Sequence, residues 1–191
     1  MKIKFDDVEI AVGAIALSAT LTRAQREEEC VSALVRELYG PAASKSNLPS
    51  GKPVISIDGR AASPCSVSHC MTHAVVARAQ SGQAIGIDIE IYRETLQHVA
   101  KRFLSESEQP FYKLGQLELL AAWTLKEAVY KAAGISPLPL TDISLPSADT
   151  FMTDRAYCHA AGMSFRVLYC DYLPQCEGVF ISLVARCDRE S

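Results

Sequence analysis

The chain has 191 residues, within the range of one domain, and its 49% hydrophobic and 21% charged residues give the balance of a globular protein that buries a core. A net charge of -3 lacks the basic excess of nucleic-acid binders. No run nears the roughly 20 apolar residues of a membrane span, and Met1 to Asp7 have no apolar secretion signal. The expectation is a cytoplasmic protein with no nucleic-acid or membrane partner, and seven cysteines, an odd number, predict reduced thiols.

In chain order, Val8 to Leu17 is rich in β-branched and small apolar residues and reads as a strand. Thr22 to Tyr39 has the spacing of an amphipathic helix stopped by Gly40-Pro41, and a loop of Ser, Asn, Pro and Gly runs on to Gly51. Val54 to Ile57 and Cys65 to Ser68 fit short strands. His73 to Ala79 and Ala84 to Ile91 fit a hairpin across Gln80-Ser81-Gly82-Gln83. Two helices follow, about Thr95 to Phe103 and Glu106 to Lys113, the second opened by Ser105 and Glu108 at capping-box spacing. A longer helix, Gln116 to Ala133, ends at Gly134, a residue type favoured just past a helix. Strands are expected near Asp142 to Leu145, Ser164 to Cys170 and Val179 to Arg186. Without regular βαβ alternation, this mixture predicts an α+β fold with antiparallel sheets, and no linker divides residues 1–191 into independent domains.

The segment Ile85-Gly86-Ile87-Asp88-Ile89-Glu90-Ile91 alternates strictly, so a strand here buries four isoleucines and aligns Gly86, Asp88 and Glu90 on the other face. Residues two apart rise about 6.6 Å along a strand, so both carboxylates can converge on one cation, and the glycine would leave room for a ligand. Oxygen-only ligands suit magnesium, particularly beside phosphates. The same pattern also fits a half-exposed strand with solvated acids.

The long helix makes the solvated alternative less attractive. At 100° per residue, Leu119, Leu120, Trp123, Lys126, Glu127, Tyr130 and Lys131 share a stripe, while Ala121, Leu125, Ala128, Val129 and Ala132 occupy the opposite side. Both sides are apolar, so the three charges interrupt an apolar surface, a costly arrangement unless they are paired or bound. A Glu127 to Lys131 pair at i,i+4 accounts for two of them and leaves Lys126 unexplained. In Cys65-Ser66-Val67-Ser68-His69-Cys70, Ser68 and His69 could donate to a phosphate, whereas Cys65, Cys70, His69 and His73 offer a competing zinc set without a paired CxxC.

Together these segments resemble the 4′-phosphopantetheinyl transferases, specifically the longer type that activates peptide synthetases such as surfactin synthetase. The matching pieces are Gly51-Lys52-Pro53, Ser66-Val67-Ser68-His69, Ile85 to Glu90, Lys101 to Glu108, and Trp123-Thr124-Leu125-Lys126-Glu127-Ala128-Val129-Tyr130-Lys131. The resemblance implies a magnesium-dependent holo-acyl-carrier-protein synthase that moves 4′-phosphopantetheine from coenzyme A to a serine of an apo acyl or peptidyl carrier protein. It implies that Asp88, Glu90 and Glu127 hold magnesium, that Glu127, Lys131 and Asp88 are catalytic, and that Lys52 and His69, with Ser68, contact the 3′-phosphate region. Lys126 and Lys131 would contact the pyrophosphate.

It also implies two similar halves, approximately 1–82 and 83–191, related by a pseudo-twofold, with coenzyme A in the cleft between them. The 85 residues ahead of Gly86 fit this monomeric pseudodimer better than the short relatives, in which three chains assemble. Arg23, Arg26 and Arg36 are adenine-side candidates, and Arg93, Lys101, Arg102 and Lys113 form the basic patch expected to meet an acidic carrier. A catalytically inactive homologue that holds coenzyme A or a carrier, and a zinc-stabilised interaction module, are the alternatives.

Overall fold

The first strand, β1 (Lys2–Phe5), turns at Asp6-Asp7 into β2 (Val8–Ala14), placing Ile3 opposite Ile10. Helix α1 (Arg23–Tyr39) begins at a reciprocal cap: the Thr22 hydroxyl accepts the Gln25 N–H at 3.3 Å, and the Gln25 side chain accepts the Thr22 N–H at 2.8 Å. Strands β3 (Ala43–Asn47), β4 (Pro53–Ile57) and β5 (Arg60–Ala61) form a small sheet, followed by β6 (Cys65–His69), β7 (His73–Ala79) and β8 (Ile85–Ile91). Next come α2 (Thr95–Val99) with a 3-10 turn at Ala100–Arg102, α3 (Gln109–Tyr112) and α4 (Gln116–Ala133), then β9 (Tyr157–Ala160), β10 (Met163–Tyr172) and β11 (Val179–Arg186). The structure, a computed structural model, describes residues 1–112, 115–147, 150, 153 and 156–187. Among them no helix is long and apolar enough to cross a membrane.

The protein is α+β, with two four-stranded antiparallel sheets in the orders β1-β2-β7-β6 and β8-β11-β10-β9. Their inner faces share one buried cluster, in which Ile10, Val75 and Ala77 meet Ile87, Ile89, Ile181 and Leu183. Each fully buried isoleucine contributes on the order of 1.5–3 kcal/mol, so the alternation that turns these side chains inward also fixes what β8 presents outward. Helix α1 covers the outer face of the first sheet through Val31, Leu34, Val35 and Leu38. Helix α4 covers the outer face of the second, with Leu120, Leu125 and Val129 in the cluster that holds Phe165, Phe180 and Val184.

The hairpin expected from His73 to Ile91 does not form. Both strands exist, but β7 already pairs with β2 on one edge and β6 on the other, and β8 pairs with β11 in the second sheet. The segment near Asp142 to Leu145 is a 3-10 turn at Leu140–Asp142 and a single bridge from Ser144 to His159 in place of a strand. The two middle helices are shorter than expected, and Lys113, given to the second, lies outside the described residues. Among the described residues all seven cysteines are free thiols, in line with the reduced state expected.

Candidate active site

The outer face of β8 presents Gly86, Asp88 and Glu90 to α4, as its alternation requires. The glycine does not leave room for a ligand: a Cβ at Gly86 would lie 1.8 Å from the Ala128 carbonyl oxygen and 2.9 Å from the Ala132 nitrogen. The helix backbone fills that room, and only glycine permits so close a crossing. Two residues along, Ser182 stands opposite Asp88, and its hydroxyl shares a 2.7 Å hydrogen bond with Thr124 of α4. This seam fixes which turns of α4 face Asp88.

Those turns bring Glu127 and Lys131 to the strand. The Lys131 ammonium donates to Asp88 Oδ1 at 2.7 Å and to the Ile87 carbonyl at 3.0 Å. The same Asp88 oxygen accepts the Ser68 hydroxyl at 2.7 Å, while Ser66 Oγ accepts the Ile87 N–H at 3.0 Å. Two serines on the inner face of β6 thus zip the first sheet to the edge strand of the second. Burial first, then the negative charge of Asp88, pushes the Glu127 carboxyl above its ordinary range, with Lys131 acting in the opposite sense. Two carboxylates that repel one another beside a cleft supply hard oxygen donors, and a divalent cation there would relieve the repulsion. Glu90 is elsewhere engaged: it accepts from Arg93 at 2.7 Å and from the Ile91 N–H at 3.0 Å. Among the described residues no three His, Cys, Asp or Glu side chains gather into a metal-holding group. That covers both the Asp88, Glu90, Glu127 set and the zinc set of Cys65, His69, Cys70 and His73. The Cys65 thiol instead donates to the Pro53 carbonyl, and burial pushes its pKa up to about 11.

Lys126 is not brought to this group. It is 0% exposed, and its ammonium donates to Glu108 at 2.7 Å, the Ile143 carbonyl at 2.7 Å and the Leu140 carbonyl at 3.0 Å. All three of its protons are used, which leaves none for a pyrophosphate. Glu108 also accepts the N–H groups of Ser105 and Leu145, so the pair ties α4 to the segments before and after it. The helical stripe is therefore divided: Lys126 points into the core, and Glu127 and Lys131 point to β8.

Two adjoining cavities open beside Lys131, between α4 and the strands β4 and β6. One, of about 270 Å³, is lined by Lys52, Ser66, Tyr130, Lys131 and Ile135 among others. The other, of about 430 Å³, is lined by Glu27, Glu28, Lys45, Ser68, His69 and Lys131. They share Gly51, Pro53, Val67 and Lys131 and so form one cleft. Lys52 and His69 are exposed to it, whereas the Ser68 hydroxyl is committed to Asp88. His69 Nδ1 lies 3.6 Å from Glu27, which also receives Arg23 at 2.6 Å, and Lys45 pairs with Glu28 at 3.1 Å. Glu27, Glu28 and Lys45 carry no motif that marks them, since β3 is a polar strand and only its pairing with β4 brings Lys45 to α1. Lys101 and Arg102 are exposed beyond α2, and Arg93 is held by Glu90.

No curated protein matches the chain. The solved structures that resemble it include the holo-[acyl-carrier-protein] synthase of Thermotoga maritima, 20% identical, with a TM-score of 0.41, over 56% of this chain and 64% of that one. The chain thus spans less than two thirds of that protein's length. Residues 84–159, which run from the acidic strand through α4 and include Asp88, Glu127 and Lys131, match the family model described as the 4′-phosphopantetheinyl transferase superfamily.

Proposed function

We propose that the protein transfers the 4′-phosphopantetheine of coenzyme A to a serine of an apo acyl or peptidyl carrier protein, yielding the holo-carrier and adenosine 3′,5′-bisphosphate. The observation that carries this reading is Lys131: it lies in the segment matching the superfamily, binds Asp88 and opens onto both cavities. Coenzyme A then lies along the cleft, with Lys52 and His69 toward its 3′-phosphate and Lys131 toward its pyrophosphate.

The carrier serine oxygen attacks the β-phosphorus, the bond to the bridging oxygen breaks, and adenosine 3′,5′-bisphosphate departs with the α-phosphate. Lys131 stabilises the charge that spreads onto the phosphoryl oxygens. Glu127, the carboxylate beside the Lys131 and Asp88 pair, accepts the serine proton. Asp88 and Glu127 would hold magnesium, joined by Glu90 once it releases Arg93, and the ion would supply neutralisation of pyrophosphate charge. Two sheets, each covered by one long helix, fit a pseudo-twofold of the longer, surfactin-synthetase-activating type, acting as a cytoplasmic monomer.

The test incubates the protein with coenzyme A, magnesium and a panel of apo-carriers, followed by intact mass measurement of each carrier. One added phosphopantetheine is expected on at least one. Bound coenzyme A without any transfer would replace this reading with that of a holding homologue.

A further inference from the structure

Two basic groups that line the α1 side of the cleft, His69 and Lys45, already face carboxylates. His69 faces Glu27 at 3.6 Å, and Lys45 meets Glu28 at 3.1 Å. The two contacts differ in how readily they open. Glu28 is 57% exposed and can swing into water, at the small cost typical of a surface pair. Glu27 is only 15% exposed and is held in place by Arg23 at 2.6 Å. Lys45, by contrast, is 10% exposed, so its ammonium stays at the cleft wall when Glu28 moves. The cleft thus holds an ammonium and an imidazole suited to phosphate oxygens, each occupied by a carboxylate.

We propose that Glu27 and Glu28 are internal competitors for these two basic side chains and set how strongly the cleft discriminates among nucleotides by their number of phosphates. The inference rests on the cleft being the nucleotide site of the proposed reaction. A ligand phosphate near Lys45 displaces the exposed Glu28 and takes its place. One near His69 meets Glu27, which Arg23 keeps from leaving, so Glu27 weakens the hold on that phosphate and favours nucleotides that lack it.

The test is calorimetric binding of adenosine 3′,5′-bisphosphate and of 5′-AMP to the full chain and to Glu27→Gln, Glu28→Gln and Glu29→Gln. Glu29 is exposed on the same helix and does not line the cleft. Removing one facing charge should tighten the bisphosphate about tenfold in Glu27→Gln and about threefold in Glu28→Gln, with 5′-AMP less affected. Glu29→Gln should leave both unchanged, and circular dichroism checks each fold; two independent variants keep the test decisive if one misfolds. Unchanged or weaker bisphosphate binding in the folded variants, or equal tightening in Glu29→Gln, overturns the inference while leaving the cleft as the nucleotide site. Failure of the unaltered chain to bind the bisphosphate at all overturns the reading of the cleft and the inference with it.

Discussion

Lys131 of α4 lies 2.7 Å from Asp88 of β8, and this ion pair is only partly covered, with 26% of the lysine and 10% of the aspartate side chain exposed. It is therefore accessible from the cleft while bracing the helix against the strand. Removing either partner takes from the other its ion pair in a largely covered place, so structure and chemistry are coupled at this point. Glu127, one turn earlier, has no hydrogen bond or ion pair among the described residues, and it is where the two effects can be separated.

Glu127→Gln should abolish transfer yet raise the melting temperature of the metal-free protein at neutral pH. The sign follows from linkage: the folded-state pKa lies above the ordinary value of 4.5, so the folded form binds the proton more tightly. The penalty is absent below the unfolded value and grows as pH rises through the folded one. Thermal melts from pH 4 to 8 in a chelator check this, and a lower melting temperature at pH 7 would refute it.

Gly86→Ala should destabilise the protein by roughly 3 kcal/mol, the upper part of the range for overpacking, because the new methyl meets helix backbone that cannot rotate away. Urea unfolding reads the loss directly. Transfer should fall as well, since α4 carries both Glu127 and Lys131.

Lys126→Met keeps the length of the side chain but strands Glu108, and should cost about 3 kcal/mol, as expected when one partner of a buried pair is removed. Coenzyme A affinity in the folded fraction should be nearly unchanged, because the ammonium lies in the core. A large selective loss of affinity would restore Lys126 to the pyrophosphate.

On the proposed placement of the 3′-phosphate beside His69, His69→Ala should weaken coenzyme A several-fold while changing 3′-dephospho-coenzyme A little, since only the former has that group to lose. Competition binding with the two ligands measures the difference. Equal losses would remove His69 from the 3′-phosphate.

Reversing Lys101 and Arg102 together should raise the KM for the carrier and flatten its dependence on salt, with coenzyme A kinetics unaffected. Unchanged carrier kinetics would move docking to another surface.

The elements with strong periodicity were legible from sequence. The α4 boundaries, from Gln116 to the left-handed Gly134 (φ 64°), and the two faces of β8 follow from local pattern and end signals. Partners of strands did not follow, because pairing depends on which edges remain free, and β7 had none left for β8. Asp88 stood out through the strict alternation of β8, and Glu127 and Lys131 because charge in an apolar helical stripe is costly. Helical phase alone could not separate Lys126 from its neighbours, since its partners Glu108, Leu140 and Ile143 come from flanking segments. The opposite wall left still less trace: Glu27 and Glu28 read as ordinary polar helix positions until β3 and β6 are placed beside them.

Strand β6 has two sides with different duties. Ser66 and Ser68 bond to β8 of the second sheet, while Val67 and His69, at alternating positions, line the cleft on the side of α1. A five-residue strand is too short to relax one side independently of the other. Any shift of β8 against β6 would therefore be felt at the cleft wall, making β6 a lever that couples the seam between the two sheets to whatever the cleft holds.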